Sequence, residues 1–128
     1  MSLFTFVQII SMGLAGAAGA LARYLLGRFV AARATTQFPL GTLLINVSGA
    51  FVIGLIASLV GRKLLSPAVQ LILATGFLGG YTTFSTMSWE GVQLARGGST
   101  RASIIYLGGS FLLGLVAAFA GILLGGWL

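Results

Sequence analysis

The sequence predicts an all-α membrane protein with four transmembrane helices, the third of them broken. Of the 128 residues, 58% are hydrophobic and 6% are charged, and the mean hydropathy is +1.09. Apolar stretches of about 20 residues, the length at which a helix crosses a bilayer, recur four times. They lie near residues 4–24, 40–60, 68–94 and 102–124. We expect a single integral membrane domain over residues 1–128, with no soluble domain.

The first segment is expected to remain in the protein as a membrane helix. A cleavable signal peptide begins with a basic region, and residues 1–12 contain no Lys or Arg.

Polar or small residues share one face of the second segment and one face of the fourth. At helical spacing they are Thr42, Asn46 and Gly49 in the second segment, and Tyr106, Ser110 and Gly114 in the fourth. Polar side chains are costly at membrane depth and therefore indicate a path for an ion or substrate. A single hydroxyl more often bonds a carbonyl of its own helix. Asn46 is the stronger pore candidate, because lipid cannot satisfy the donors of a buried primary amide.

The third segment contains glycines and hydroxyls where aliphatic residues are expected. Residues 76–86 read Gly-Phe-Leu-Gly-Gly-Tyr-Thr-Thr-Phe-Ser-Thr. A backbone break at membrane depth is tolerated only where it is buried in protein or lines a water-filled path. If residues 79–82 leave helical geometry, their carbonyls could coordinate a monovalent cation, and two chains would have to supply enough of them.

The residues after this break complete a set of neutral donors and aromatic edges. They are Thr83, Ser85 and Thr86, with Phe84 and Met87 as an i, i+3 pair. Neutral N–H and O–H groups, together with the positive edges of aromatic rings, can replace part of an anion's hydration shell and still let the ion leave. The inventory favours a narrow anion path.

Other classes of function are excluded by composition. Cys and His are absent and Glu90 is the only carboxylate, so one chain cannot build a thiolate metal site, a two-carboxylate site or a Ser-His-Asp triad. We predict that the protein is not an enzyme. The net charge of +6 does not indicate nucleic-acid binding, because the seven cations are scattered among loops and helix ends.

Charge and glycine patterns bear on topology and assembly. Four arginines are expected on one side of the membrane and two cations on the other, a weak bias that leaves either insertion direction open. These cations are Arg28, Arg33, Arg96 and Arg101 on one side, and Arg62 and Lys63 on the other.

Small residues four apart predict close helix packing. They are Gly76 with Gly80, Gly121 with Gly125, and Gly16 with Ala20. Because four helices enclose little volume, a path is expected between subunits.

Three stretches make the chain resemble the Fluc (CrcB-type) fluoride channels over its whole length. They are Gly-Ala-Leu-Ala-Arg-Tyr at 19–24, Gly-Thr-Leu-Leu-Ile-Asn-Val-Ser-Gly at 41–49, and residues 76–86 quoted above. The resemblance implies a fluoride-selective channel of the prokaryotic plasma membrane, which exports fluoride by passive electrodiffusion. It also implies an antiparallel, dual-topology homodimer in membrane lipid, with two pores.

The same resemblance implies site residues and one bound ion. A central structural sodium ion would be held by main-chain carbonyls of Gly79 and Thr82 from both subunits. Pore residues would be Asn46, Phe84, Tyr106 and Ser110, with Thr83, Ser85 and Thr86 on the nearby polar face, and Thr42 and Met87 as further candidates.

Met87 departs from the family pattern, in which a second phenylalanine follows Thr-Thr-Phe-Ser-Thr. A flexible thioether here replaces a ring edge. Either Met87 only fills space, or it weakens one ion site and slows conduction. We expect intact selectivity with an altered rate.

Glu90 supports one rival interpretation. Small multidrug exporters are also short four-helix dimers that use one membrane carboxylate for proton antiport. Their acid lies in the first helix, however, and they have no counterpart of the Gly-Tyr-Thr-Thr-Phe-Ser-Thr break at residues 80–86. We instead expect Glu90 near the membrane edge, exposed or paired with Arg23 or Arg96 of either subunit.

Overall fold

Helices form nearly all of the structure that a computed structural model describes for residues 1–36 and 38–128. No strand occurs in these two ranges, and the predicted all-α class is confirmed. In chain order the segments are α1 (Leu3–Arg33), α2 (Leu40–Gly61), α3 (residues 67–81), α4 (Phe84–Arg96) and α5 (Thr100–Trp127). Three of them, α1, α2 and α5, are long and apolar enough to cross a membrane.

The first segment continues well beyond the predicted end at residue 24, as far as Arg33. Its last turns carry two arginines that fold back on aromatic rings. The Arg28 guanidinium lies 5.9 Å from the ring centre of Tyr24, and that of Arg33 lies 3.7 Å from the ring centre of Phe29. Contacts of a guanidinium with an aromatic face are favourable and suit arginines at the end of a membrane helix.

The predicted third segment is divided into α3 and α4. α3 begins with one α-helical turn, Pro67–Gln70, continues as π-helix over Leu71–Leu78 and ends with Gly79–Tyr81. Its first turn is capped by Ser66, whose Oγ accepts the Val69 N–H at 3.2 Å. At about 1.5 Å per residue neither α3 nor α4 alone would cross a hydrocarbon layer of about 30 Å.

The interruption lies later than the sequence analysis placed it. Gly79–Tyr81 is helical, and the backbone is extended at Thr82 (φ −78°, ψ 157°) and Thr83 (φ −148°, ψ 120°). The last turn of α3 is closed at Thr82, where both the N–H and the side-chain hydroxyl donate to Leu78 O at 2.9 Å. Thr83 then starts α4, because its Oγ1 accepts the Thr86 N–H at 3.2 Å.

Two seams of glycine hold the helices together. A Cβ on Gly19 or Gly80 would overlap backbone atoms across the contact of α1 with α3, and one on Gly54 or Gly121 would do so between α2 and α5. Backbones this close gain dispersion energy that lipid cannot replace, as the small-residue spacing predicts.

Contacts across the seams fix the helix directions. From Gln8 with Ala68 to Gly16 with Gly80, residue numbers rise together, so α1 and α3 are parallel. Numbers also rise together between α2 and α5. Along α4 they fall instead, from Thr42 with Glu90 to Asn46 with Met87 on α2. They fall likewise from Ser103 with Gly91 to Tyr106 with Glu90 on α5, so α4 runs antiparallel to both helices. The end of α3, the start of α4 and the middle of α2 therefore meet at one level.

Candidate functional site

The polar face of α2 packs against residues 82–90. Gly49 leaves room for the Cγ2 methyl group of Thr82, which a Cβ at position 49 would overlap. One turn earlier Asn46 pairs with Thr83, and a further turn earlier the Thr42 hydroxyl donates to Glu90 Oε1 at 2.6 Å. The three residues predicted to share a face thus do so, and all three contact the segment that follows α3.

Asn46 satisfies the extended backbone at Thr83. Its Oδ1 accepts the Thr83 N–H at 2.9 Å and its Nδ2 donates to Thr83 O at 2.9 Å. The amide therefore supplies both bonds that a helix would otherwise give this residue. One N–H of the Asn46 amide, which lipid could not satisfy, is thus bonded to a backbone carbonyl. Asn46 therefore has a structural role in addition to any role in a pore.

The same pairing releases a carbonyl at the end of α3. In a continuous α-helix the Thr83 N–H would donate to Gly79 O, four residues earlier. Here that N–H is directed to Asn46 instead. Gly79 is exposed in the single chain.

Hydroxyls at the start of α4 form a local cluster. Thr83 Oγ1 lies 3.1 Å from the Thr86 hydroxyl and 3.4 Å from that of Ser85. Thr83 is buried, whereas Ser85 is exposed. Of these side chains, which were predicted to form the polar face near a pore, Thr83 also caps α4.

An open groove of about 420 Å³ joins four of the predicted pore residues. They are Asn46, Phe84, Met87 and Ser110, and the other lining residues are Ala50, Ile53, Phe111, Gly114, Leu115 and Ala118. Most of this wall is apolar. The Ser110 hydroxyl is buried and has no partner among residues 1–36 and 38–128, and the Phe84 ring is 78% exposed. The groove is therefore open and mostly apolar, and Asn46 and Ser110 are the polar residues that line it.

Tyr106 and Thr42 belong to a second cluster, centred on Glu90. The Tyr106 hydroxyl donates to the same oxygen, Oε1, as Thr42 does, at 3.4 Å. Tyr106 is fully buried, and its ring meets the Phe38 ring edge-on at 5.5 Å between centres. A cavity of about 330 Å³ lies beside Glu90 and Thr42. Within the single chain the carboxylate is thus held by two hydroxyls, and a pairing with Arg23 or Arg96 of a second subunit stays a prediction.

Arg23 lies near the hydroxyl cluster formed by Thr83, Ser85 and Thr86. It lines a cavity of about 280 Å³ together with Tyr24, Thr83 and Thr86. Its Nε is buried, and the described part of the chain offers it no hydrogen-bond partner. A cationic side chain therefore lies beside the hydroxyls of Thr83 and Thr86.

One polar pair was missed by the sequence analysis. The Ser48 hydroxyl lies 3.0 Å from the Tyr81 hydroxyl, which links α2 to the last turn of α3. Ser48 is two residues from Asn46, and only the contact with α3 distinguishes it from an ordinary helix serine. Within residues 1–36 and 38–128 no three His, Cys, Asp or Glu side chains are grouped to hold a metal, so a cation here would depend on main-chain oxygen.

The three long apolar helices and the polar groups buried between them define an integral membrane protein. Residues 10–122 match the family model described as "CrcB-like protein, Camphor Resistance (CrcB)". The chain belongs to this family, and the resemblance seen in the motifs is confirmed.

Curated relatives match over nearly their full length. A protein of Acidobacterium capsulatum is 44% identical over 115 residues, covering 89% of this chain and 92% of the relative. One from Leifsonia xyli is 46% identical over 122 residues, with 95% and 89% covered. One from Thermus thermophilus is 44% identical over 115 residues, with 90% and 91% covered. All three are named fluoride-specific ion channel FluC, the second as FluC 1.

Proposed function

We propose that this protein is a fluoride-specific ion channel of the bacterial plasma membrane and not an enzyme. The groove carries the proposal: Asn46 and Ser110 line it among apolar residues, and the buried Ser110 hydroxyl has no hydrogen-bond partner in the described part of the chain. The names and bacterial sources of the relatives give the ion and the membrane. Transport is passive, so that the channel lets fluoride leave the cell down its electrochemical gradient.

Neutral donors in a narrow path suit fluoride better than chloride. Hydrogen bonds to an anionic acceptor are short and strong, and the smaller ion can approach N–H and O–H groups more closely. A fixed cation inside the groove would bind the ion too tightly to release it. Arg23 lies beside the hydroxyl cluster and does not line the groove. From that position its charge attracts anions without binding them inside the groove.

The proposed assembly is an antiparallel, dual-topology homodimer with two such paths. One side of the groove is open and Phe84 is largely exposed there, so a second chain is needed to close it. The weak charge bias permits both insertion directions. In the dimer each subunit contributes one groove, and membrane lipid surrounds the exposed apolar faces of α1 and α5.

A structural sodium ion fits the end of α3. Gly79 is exposed and its carbonyl lacks the helical donor that Asn46 has taken, and Thr82 presents an extended backbone next to it. When bound, the ion would supply positive charge to main-chain oxygens that lipid cannot satisfy. Gly79 and Thr82 of two subunits would hold it.

The proton-coupled exporter is not supported. Glu90 accepts hydrogen bonds from Thr42 and Tyr106, and each of the named relatives is called an ion channel. We therefore assign Glu90 a role in holding the two hydroxyls at one end of the molecule.

Fluoride flux from liposomes tests the proposal. Purified protein is reconstituted with internal fluoride at symmetrical pH, and efflux is followed with a fluoride electrode while a potassium gradient and valinomycin set the voltage. Efflux should begin when voltage is set, follow its sign, and be absent for chloride. Comparable chloride efflux, or flux that follows an imposed pH gradient and ignores voltage, would overturn the proposal.

A further inference from the structure

Met87 contacts the amide that pairs with Thr83. Its Sδ lies 3.8 Å from Asn46 Nδ2, within hydrogen-bonding range for sulfur. The Asn46 nitrogen carries two hydrogens, and one of them goes to Thr83 O at 2.9 Å. The second hydrogen is therefore the one that Met87 can accept. Because Asn46 and Met87 both line the groove, this N–H is the donor available to an anion there.

We propose that Met87 is a positioning residue: its thioether holds the free N–H of Asn46 until an anion in the groove displaces it. The inference rests on the proposed fluoride path and adds to it the residue that sets how tightly the ion is held. A thioether is a weak acceptor, so fluoride displaces it at little cost. The N–H is nevertheless kept in one orientation while the groove holds no anion.

The acceptor matters because conduction needs binding that is strong enough for entry and weak enough for exit. An N–H without any partner in an apolar groove gains most when an anion arrives, since a buried unsatisfied donor is costly. A partner that must first be displaced reduces this gain. A phenylalanine at position 87 would offer ring hydrogens at its edge and no comparable acceptor, so Met87 changes the chemistry of the site as well as its shape.

The first experiment removes the sulfur and keeps the size. In Met87→Leu the half-saturating fluoride concentration for flux should fall by about threefold, because the free N–H then has no competing partner. The maximal flux should fall with it, since a more tightly bound ion leaves more slowly. Met12→Leu is the matched control, because Met12 lies in α1 and does not line the groove.

The second experiment strengthens the acceptor without replacing the residue. Hydrogen peroxide converts the thioether to a sulfoxide, whose oxygen accepts hydrogen bonds strongly. In the Met12→Leu background, oxidation should raise the half-saturating fluoride concentration above that of the unoxidised protein. A methionine sulfoxide reductase should restore the original value. The double variant Met12→Leu with Met87→Leu should not respond to peroxide, which controls for oxidation of Met1.

The order of half-saturating concentrations decides the proposal. Values that rise from leucine through methionine to the sulfoxide support it. Equal half-saturating concentrations in the three forms, or the opposite order, overturn the proposed role of Met87. The proposed function as a fluoride channel still holds in that case, provided that the protein conducts fluoride. Absence of fluoride flux in the unsubstituted protein overturns both.

Discussion

Asn46 bonds Thr83 as a neighbouring β-strand would, with its Oδ1 accepting the N–H and its Nδ2 donating to the carbonyl, each at 2.9 Å. A side chain of α2 thus performs for one residue what secondary structure performs elsewhere. The extended backbone between α3 and α4 depends on this pairing, since water is not available at membrane depth to replace it.

Replacing Asn46 should therefore affect stability and transport together. In Asn46→Ala the Thr83 N–H and carbonyl both lose their partner, at a cost of about 1–3 kcal/mol for each buried group. We expect a lower midpoint of thermal unfolding in detergent and fluoride flux close to background. Ser48→Ala is the control on the same helix, because it removes one hydroxyl pair and leaves Thr83 bonded. An Asn46→Ala protein with an unchanged midpoint would contradict the structural role.

Neutralising Glu90 should leave electrogenic fluoride flux in place. Glu90→Gln keeps a side-chain oxygen that can accept from Thr42 and Tyr106, as Oε1 does now. Voltage-driven efflux should continue, with a change in rate of at most several-fold. Proton-coupled exchange would instead require the carboxylate, so complete loss of flux in a folded Glu90→Gln protein would argue for the exporter.

Adding one methyl group to the seam between α2 and α5 should be destabilising. A Cβ on Gly121 would overlap the carbonyl oxygen of Phe51, which is backbone and cannot move aside alone. Gly121→Ala should lower stability by about 1–3 kcal/mol, the usual cost of overpacking. Gly126→Ala on the same helix meets open space and should be neutral or slightly stabilising. Equal thermal midpoints for the two variants would show that the seam can relax.

The proposed sodium ion should be detectable when a heavier monovalent cation takes its place in the crystal. Crystals grown with rubidium or thallium(I) in place of sodium should show one anomalous peak on the two-fold axis between antiparallel subunits. Its neighbours should be the main-chain oxygens of Gly79 and Thr82 from both chains, because the carbonyl of Gly79 has lost its helical donor to Asn46. A parallel dimer, or two well-ordered α3 ends far apart without a shared peak, would refute the arrangement.

The sequence predicted the groove better than it predicted the backbone around it. Asn46, Phe84, Met87 and Ser110 could be grouped because helical spacing and membrane depth limit where polar residues lie. The position of the interruption could not be read in this way. Glycine permits a break without requiring one, and the break occurs at Thr82 and Thr83, where side-chain and Asn46 bonds replace those of a helix.

The hydrogen-bond partners of Glu90 could not be predicted from the sequence either. A lone acid with seven cations suggests an ion pair, but hydroxyls of Thr42 and Tyr106 reach it first in the folded chain. That contact needs α2, α4 and α5 to meet at one level. Such a meeting follows from the packing of the helices and not from any local pattern.

The division of the third segment has a consequence for how the chain is threaded into the membrane. Four stretches of the sequence are apolar enough to cross the membrane, but only α1, α2 and α5 do so as single helices of sufficient length. In the proposed protein α3 and α4 together add a fourth crossing, which returns the carboxyl end to the side of the amino end. The extended backbone at residues 82 and 83, held by the Asn46 amide, joins the two halves of that crossing.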